Sequence, residues 1–211
     1  MHGDKITFFR NLKDTDRESI QHFCCSCIPA CTRNLLKYYG IRKQNGDYWN
    51  EMDVIEHFNK MVPSENWKCK NPECGLSLNQ APTFRITKEL EQYPTFGNQY
   101  KVKISPDEDG EEIKKRALVL EAQLRAYILK NLFEIVVGDS PKPVLVSLFM
   151  PYIYGIKIHT CIVVEINDRE VSLFDPVEGF KIISRNLFDS WLCLTEKGDH
   201  STICYICNKS S

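Results

Sequence analysis

Two prolines, Pro141 and Pro143, divide the chain into two textures. Ahead of them apolar residues recur at helical spacing. Ala30, Leu35, Leu36 and Tyr39 form one such stripe, Met52, Val54, Ile55, Phe58 and Met61 a second, and Ile113, Ala117, Leu120, Leu124, Tyr127, Ile128 and Phe133 a third. Behind them come short β-rich runs: Val144 to Met150, Ile158 to Ile166, Val171 to Phe174, Lys181 to Ser184 and Thr202 to Ile206. Helices first and strands afterwards read as an α+β fold, with an N-terminal helical part on a C-terminal antiparallel sheet. At 211 residues, 43% of them hydrophobic, the chain suits one domain with a substantial core.

Local signals refine this outline. Pro29 suits the first turn of a helix, where a missing N–H costs nothing, and Gly40 suits its C-terminal stop. Cys27 then stands at the N-terminal end of that helix. Ile6 to Phe9 has strand-like composition, and the charged stretch Lys13 to Glu18 reads as a loop. Pro63, Pro72, Pro82 and Pro94 punctuate a stretch expected to be rich in loops, and Pro106 to Gly110 reads as an acidic turn before the third helical stripe. Asn167-Asp168-Arg169-Glu170 has the composition of a hairpin turn. A strand leading into it and another leaving it rise equally, so the turn returns Asp175 to the level of His159.

That return matters because four residues supply the parts of a thiol-based acyl-transfer centre. Cys27 offers a nucleophile favoured as thiolate by the helix terminus, and His159 a proton carrier. Asp175 offers a carboxylate to orient the imidazole, and Gln21, six positions before Cys27, an amide donor for an oxyanion. Each has a plainer reading: a buried cysteine, a satisfied strand histidine, an aspartate capping a turn before Pro176, a surface glutamine. Cys24 and Cys25 rival Cys27, but neither follows a glutamine by six. Among the other histidines, His2, His22, His57 and His200, none has an acid at matching hairpin distance.

The run Cys27-Ile28-Pro29-Ala30-Cys31, leading to Tyr38-Tyr39-Gly40, resembles the opening motif of the papain-like peptidases that process double-glycine bacteriocin leaders. Their pattern reads Gln, a few residues, Asp-Cys-Gly-Pro-Ala-Cys, then an apolar helix ending Tyr-Tyr-Gly. Here Ser26 stands where that aspartate is usual and Ile28 where the glycine is. The resemblance implies a papain-like fold over residues 1–211, with Cys27 as nucleophile, Gln21 at the oxyanion, His159 as base and Asp175-Pro176 as the acid. It covers roughly the first forty and the last seventy residues, and implies a helical insertion at about 42–140. The function expected is a cysteine peptidase acting on a peptide or protein through an acyl-enzyme. A papain-like acyltransferase with the same centre is the alternative. So is a non-catalytic domain of that fold, zinc-binding or of the kind classed as guanylyl cyclase in eukaryotes.

Ten cysteines raise the question of redox setting. A chain of this length does not need disulfide staples, and the first ten residues lack the apolar run of an export signal, so reduced thiols in the cytoplasm are expected. Cys69, Cys74, Cys204 and Cys207 superficially suggest a four-thiolate zinc site, but the first spacing is loose and the second lies on a strand whose alternate residues diverge. No metal and no cofactor are therefore expected. A net charge of −1 gives no electrostatic reason to expect nucleic acid, and no stretch approaches the ~20 apolar residues of a membrane span.

Overall fold

The computed structural model describes residues 3–23, 26–61, 66–68, 77–79, 90–92, 126, 129–130, 132–148, 150, 159–192 and 203–206; for 3–4, 58–61, 66–68, 77–79, 90–92 and 203–206 it describes the backbone alone. Helix α1 spans Gly3–Thr15, α2 Cys27–Tyr38 and α3 Glu51–Met61. Strands β1 (Asn66–Lys68) and β2 (Ser77–Asn79) pair antiparallel with each other. Strand β3 is Leu90–Gln92, α4 covers 132–137, and β4 is Val144–Leu148. Then follow β5 (His159–Ile166), β6 (Glu170–Asp175), β7 (Gly179–Ser184), α5 (Arg185–Trp191) and β8 (Ile203–Ile206). The main sheet has the order β3-β8-β4-β5-β6-β7, every neighbouring pair antiparallel. The architecture is α+β.

Both faces of the central strands are covered. Phe9 and Leu12 of α1 and Leu35 and Leu36 of α2 pack with Leu145, Ile162, Val164 and Phe174 on one side. Leu132 and Val136 of α4 and Phe188 of α5 pack with Val146, Val163, Val171 and Leu173 on the other. A strand buried on two faces has no polar side, which is why Ile162, Val163 and Val164 run without interruption. A bulge between Val163 and Glu165 resets the alternation, so Val164 and Ile166 join opposite clusters although they are two residues apart.

The N-terminal segment departs from its sequence reading. Ile6 to Phe9 is helical, not extended, and Lys13 to Glu18 is no simple loop: α1 continues to Thr15 and a 3-10 turn covers Arg17–Ser19. Lys5, Phe9 and Leu12 form the buried face, and the lysine breaks up what would otherwise read as an apolar stripe. Its ammonium donates to the carbonyl of Val136 at 3.0 Å, tying α1 to α4. Helix α2 ends as expected at Gly40, whose φ of +66° suits glycine. Gly40 N–H bonds to the carbonyl of Lys37 and Ile41 N–H to that of Leu36, a Schellman stop.

Within 42–140 the described residues hold α3, α4 and three short strands, of which β3 joins the main sheet. Most of the third helical stripe and the 106–110 turn lie outside the described residues. Among the described residues, no helix is long and apolar enough to cross a membrane.

Candidate active site

Cys27 is the first residue of α2, where backbone N–H groups lack intrahelical partners and the helix dipole favours an anion. Ser26 precedes it and makes no side-chain cap. Its hydroxyl instead donates to the carbonyl of Phe23 at 2.9 Å and accepts the N–H of Phe23 at 3.3 Å. These bonds tie Phe23 to the residue that precedes the helix. Cys27 as a residue is partly exposed, whereas Cys31, one helical turn on, is fully buried and donates its thiol to the carbonyl of Thr160 at 3.3 Å. That contact seats the start of α2 against the start of β5.

His159 opens β5 and Asp175 closes β6, and the turn between the strands is pinned by Asn167, whose Oδ1 accepts the N–H groups of Arg169 and Glu170 at 2.8 Å each. His159 Nε2 consequently lies 3.0 Å from Asp175 Oδ1, with side chains 1% and 0% exposed. Asp175 also performs the plainer task foreseen for it: Oδ1 accepts the N–H of Val177 at 2.8 Å, shaping the turn that Gly179 completes at φ +93°. Its second oxygen lies 3.5 Å from Lys181 Nζ. One carboxylate thus shapes the 175–179 turn and holds the imidazole at once. The ring's other nitrogen, Nδ1, is buried without a hydrogen-bond partner.

Electrostatics separate the three described thiols. Burial pushes the Cys27 thiol up, but the hydrogen bonding and charge of His159, with the N–H and hydroxyl of Thr160, outweigh it and bring the pKa below the ordinary thiol value. Burial raises Cys31 strongly, reinforced by the charges around it. Burial also raises Cys161, to about 11, although His159 partly opposes the shift. For His159 burial favours the neutral ring, yet the bond to Asp175 and the neighbouring Cys161 and Cys27 thiols carry the pKa up to about 12. Burial disfavours the Asp175 carboxylate, but His159, the Val177 N–H and Lys181 hold its pKa below the usual range. The shifts run together: each favours the charged form, thiolate at 27, imidazolium at 159 and carboxylate at 175, over what the free group would show.

Gln21 is partly buried and tied to both halves of the site. Its backbone N–H donates to the carbonyl of Pro176 at 2.7 Å, directly after Asp175, and its side-chain Nε2 donates to the carbonyl of Phe23 at 3.0 Å. Phe23 O therefore receives both Gln21 and Ser26, the neighbour of Cys27. Upstream, Asp16 takes ion pairs from Arg33 and Lys37 of α2, and Asn34 Nδ2 donates to Ser19 O at 2.8 Å. Downstream, His22 N–H donates to Glu51 Oε2 at 2.9 Å. The segment carrying Gln21 is thus laced to α2, α3 and the acid turn.

No family model, curated protein or solved structure matches the chain. The site stands on its own geometry.

The motif spacing does not single out Cys161, although its place two positions after His159 on one strand is a usable signal. Among the rival residues, His22 is exposed and His57 meets the Trp49 ring edge-on at 5.4 Å. Cys24, Cys25, His2 and His200 lie outside the described residues, as do Cys69, Cys74 and Cys207 of the weighed zinc set, and Cys204 is described only as backbone in β8.

Proposed function

We propose that this chain is a cysteine peptidase of papain-like type, similar to the double-glycine leader peptidases, acting on a peptide or protein in the cytoplasm. The observation that carries the reading is the buried His159–Asp175 pair beside a thiol whose pKa it lowers, with that thiol at a helix N-terminus. Cys27 attacks the scissile carbonyl as thiolate. The oxyanion is received by the Cys27 backbone N–H and by the second N–H of Gln21 Nε2, the first being held on Phe23 O. His159 protonates the leaving amine and then takes a proton from the water that releases the acyl group, while Asp175 keeps the ring oriented.

Alkylation by iodoacetamide between pH 5 and 9, with each modified cysteine located by mass spectrometry, tests the thiolate. Cys27 is expected to react fastest at pH 6, with Cys31 and Cys161 inert. The rate rises as pH passes the lowered Cys27 pKa and falls sharply in His159→Ala. Incubation with a complex peptide mixture then tests turnover: cleavage by the wild-type chain and none by Cys27→Ala is the expected pair. Equal products from both proteins, or a Cys27 no faster than the other thiols, defeats the reading.

A further inference from the structure

The hydrolytic scheme employs Cys27, His159 and Asp175 but gives Cys161 no task. Cys161 is a free, fully buried thiol whose sulfur lies within 4.8 Å of a ring nitrogen of His159. His159 and Asp175 are 1% and 0% exposed and Cys161 is fully buried, and a polar cluster this dry is costly unless each member has a partner. The Cys161 sulfur, a ring nitrogen of His159 and a carboxylate oxygen of Asp175 all lie within 4.8 Å of one another. Thiolate, imidazole and carboxylate together are donors that zinc accepts.

The spacing suits such an ion. Around tetrahedral zinc, with bonds of about 2.3 Å to sulfur and about 2.0–2.2 Å to nitrogen or oxygen, donor atoms stand roughly 3.3–3.6 Å apart. The His159–Asp175 separation of 3.0 Å needs to open by a few tenths of an ångström, and the sulfur needs to close by at most about 1.2 Å. Charge also balances: one carboxylate and one thiolate neutralise a divalent cation, and the Cys161 proton leaves on binding. Lys181 approaches the second oxygen of Asp175, at 3.5 Å.

We propose that His159, Cys161 and Asp175 form a three-ligand zinc site, with water in the fourth position, and that zinc switches the thiol centre off by taking its imidazole and carboxylate. The switching rests on the peptidase reading, whereas the metal site does not.

Cobalt(II) titrated into the reduced, metal-free full chain reads the site directly. One equivalent is expected to bind with tetrahedral d–d bands and a cobalt–thiolate charge-transfer band. Cys161→Ala is expected to lose the charge-transfer band and to weaken zinc binding at least about tenfold, the scale seen when even outer-shell partners are removed. A Cys69→Ser/Cys204→Ser double variant keeps both. Circular dichroism confirms folding in each, and X-ray absorption on zinc-loaded wild-type chain needs no variant: one sulfur among nitrogen and oxygen neighbours is expected. Two or more sulfurs, a charge-transfer band surviving in Cys161→Ala, or a chain that binds no metal overturns the site. Zinc is also expected to slow Cys27 alkylation reversibly in the wild type and not in Cys161→Ala; unchanged alkylation in zinc-loaded protein overturns the switch. A chain that binds zinc through one sulfur while Cys27 never reacts sinks the peptidase reading and leaves the metal site intact.

Discussion

At the scale of single residues, Asp175 bears the heaviest demands, because one fully buried carboxylate serves a turn and an imidazolium together. Its lowered pKa means that its contribution to stability is present above the ordinary carboxyl value near 4 and is lost as pH falls through the folded value. The raised pKa of His159 works in the opposite direction: its contribution is complete below about 6.5 and is lost only as pH climbs through about 12. At pH 7 the carboxylate's contribution is complete and most of the imidazolium's remains. Asp175→Asn is therefore expected to cost about 3–5 kcal/mol at pH 7, the usual penalty for stripping one partner from a buried pair. Urea denaturation at stepped pH checks this, since the gap from wild type must narrow as the solution is acidified below pH 4. A gap that stays constant down the series removes His159–Asp175 pairing as its cause. The separation of His159 from Asp175 could be read as proximity because a hairpin turns sequence distance into contact by strand arithmetic alone. The proximity of Cys161 needed only the same alternation, but a buried cysteine looks like any small apolar residue until its neighbours are known.

At the scale of elements, α2 does most of the positioning. Its beginning carries the thiol and its end is a Schellman stop, both visible in local residue chemistry. A Cβ at Gly40 meets nothing within 4 Å, so Gly40→Ala carries backbone strain alone and is expected to cost about 1 kcal/mol, measured by thermal unfolding, without changing Cys27 reactivity. The ion pairs of Asp16 with Arg33 and Lys37 have a different role. Arg33 is 5% exposed, so Asp16→Ala leaves a mostly buried guanidinium without its main partner and frees the segment leading to Gln21. About 2–4 kcal/mol of stability is expected to go, together with a fall in turnover of up to the ~10²–10³ expected for losing Gln21 as an oxyanion donor. Helix α1 shows what local chemistry conceals. A lysine at a core position makes Lys5-Ile6-Thr7-Phe8-Phe9 look like a short strand after a charge, and the distant carbonyl of Val136 and the charge of Glu165 explain why the chain can bury it.

At the scale of the whole molecule, the central strands are a shared wall between two cores, and the candidate site draws on both: Cys31 of the first bonds the carbonyl of Thr160, and Cys161, near His159, belongs to the second. The change of texture at Pro141 and Pro143 announced helices followed by strands. It did not announce that α4 and α5 would cover the second face, because coverage on both sides leaves in the sequence only an unbroken apolar run such as Ile162-Val163-Val164. The two cores provide a test of how the site is held. Phe174 is fully buried in the first, its ring 6.0 Å from that of Phe9, and Phe188 is fully buried in the second. Phe174→Ala and Phe188→Ala remove the same volume, and each is expected to cost about 3–5 kcal/mol in chemical denaturation. Their effects on chemistry differ. Phe174 adjoins Asp175 in sequence and packs in the core that seats α2, so its loss loosens both the acid and the thiol and is expected to slow Cys27 alkylation several-fold in protein that is still folded. Phe188 packs in the second core, which holds Cys161 but no residue of α2, so its loss is expected to slow alkylation less. If the two variants slow alkylation equally at matched stability, the thiol senses global stability, and the first core does not position it.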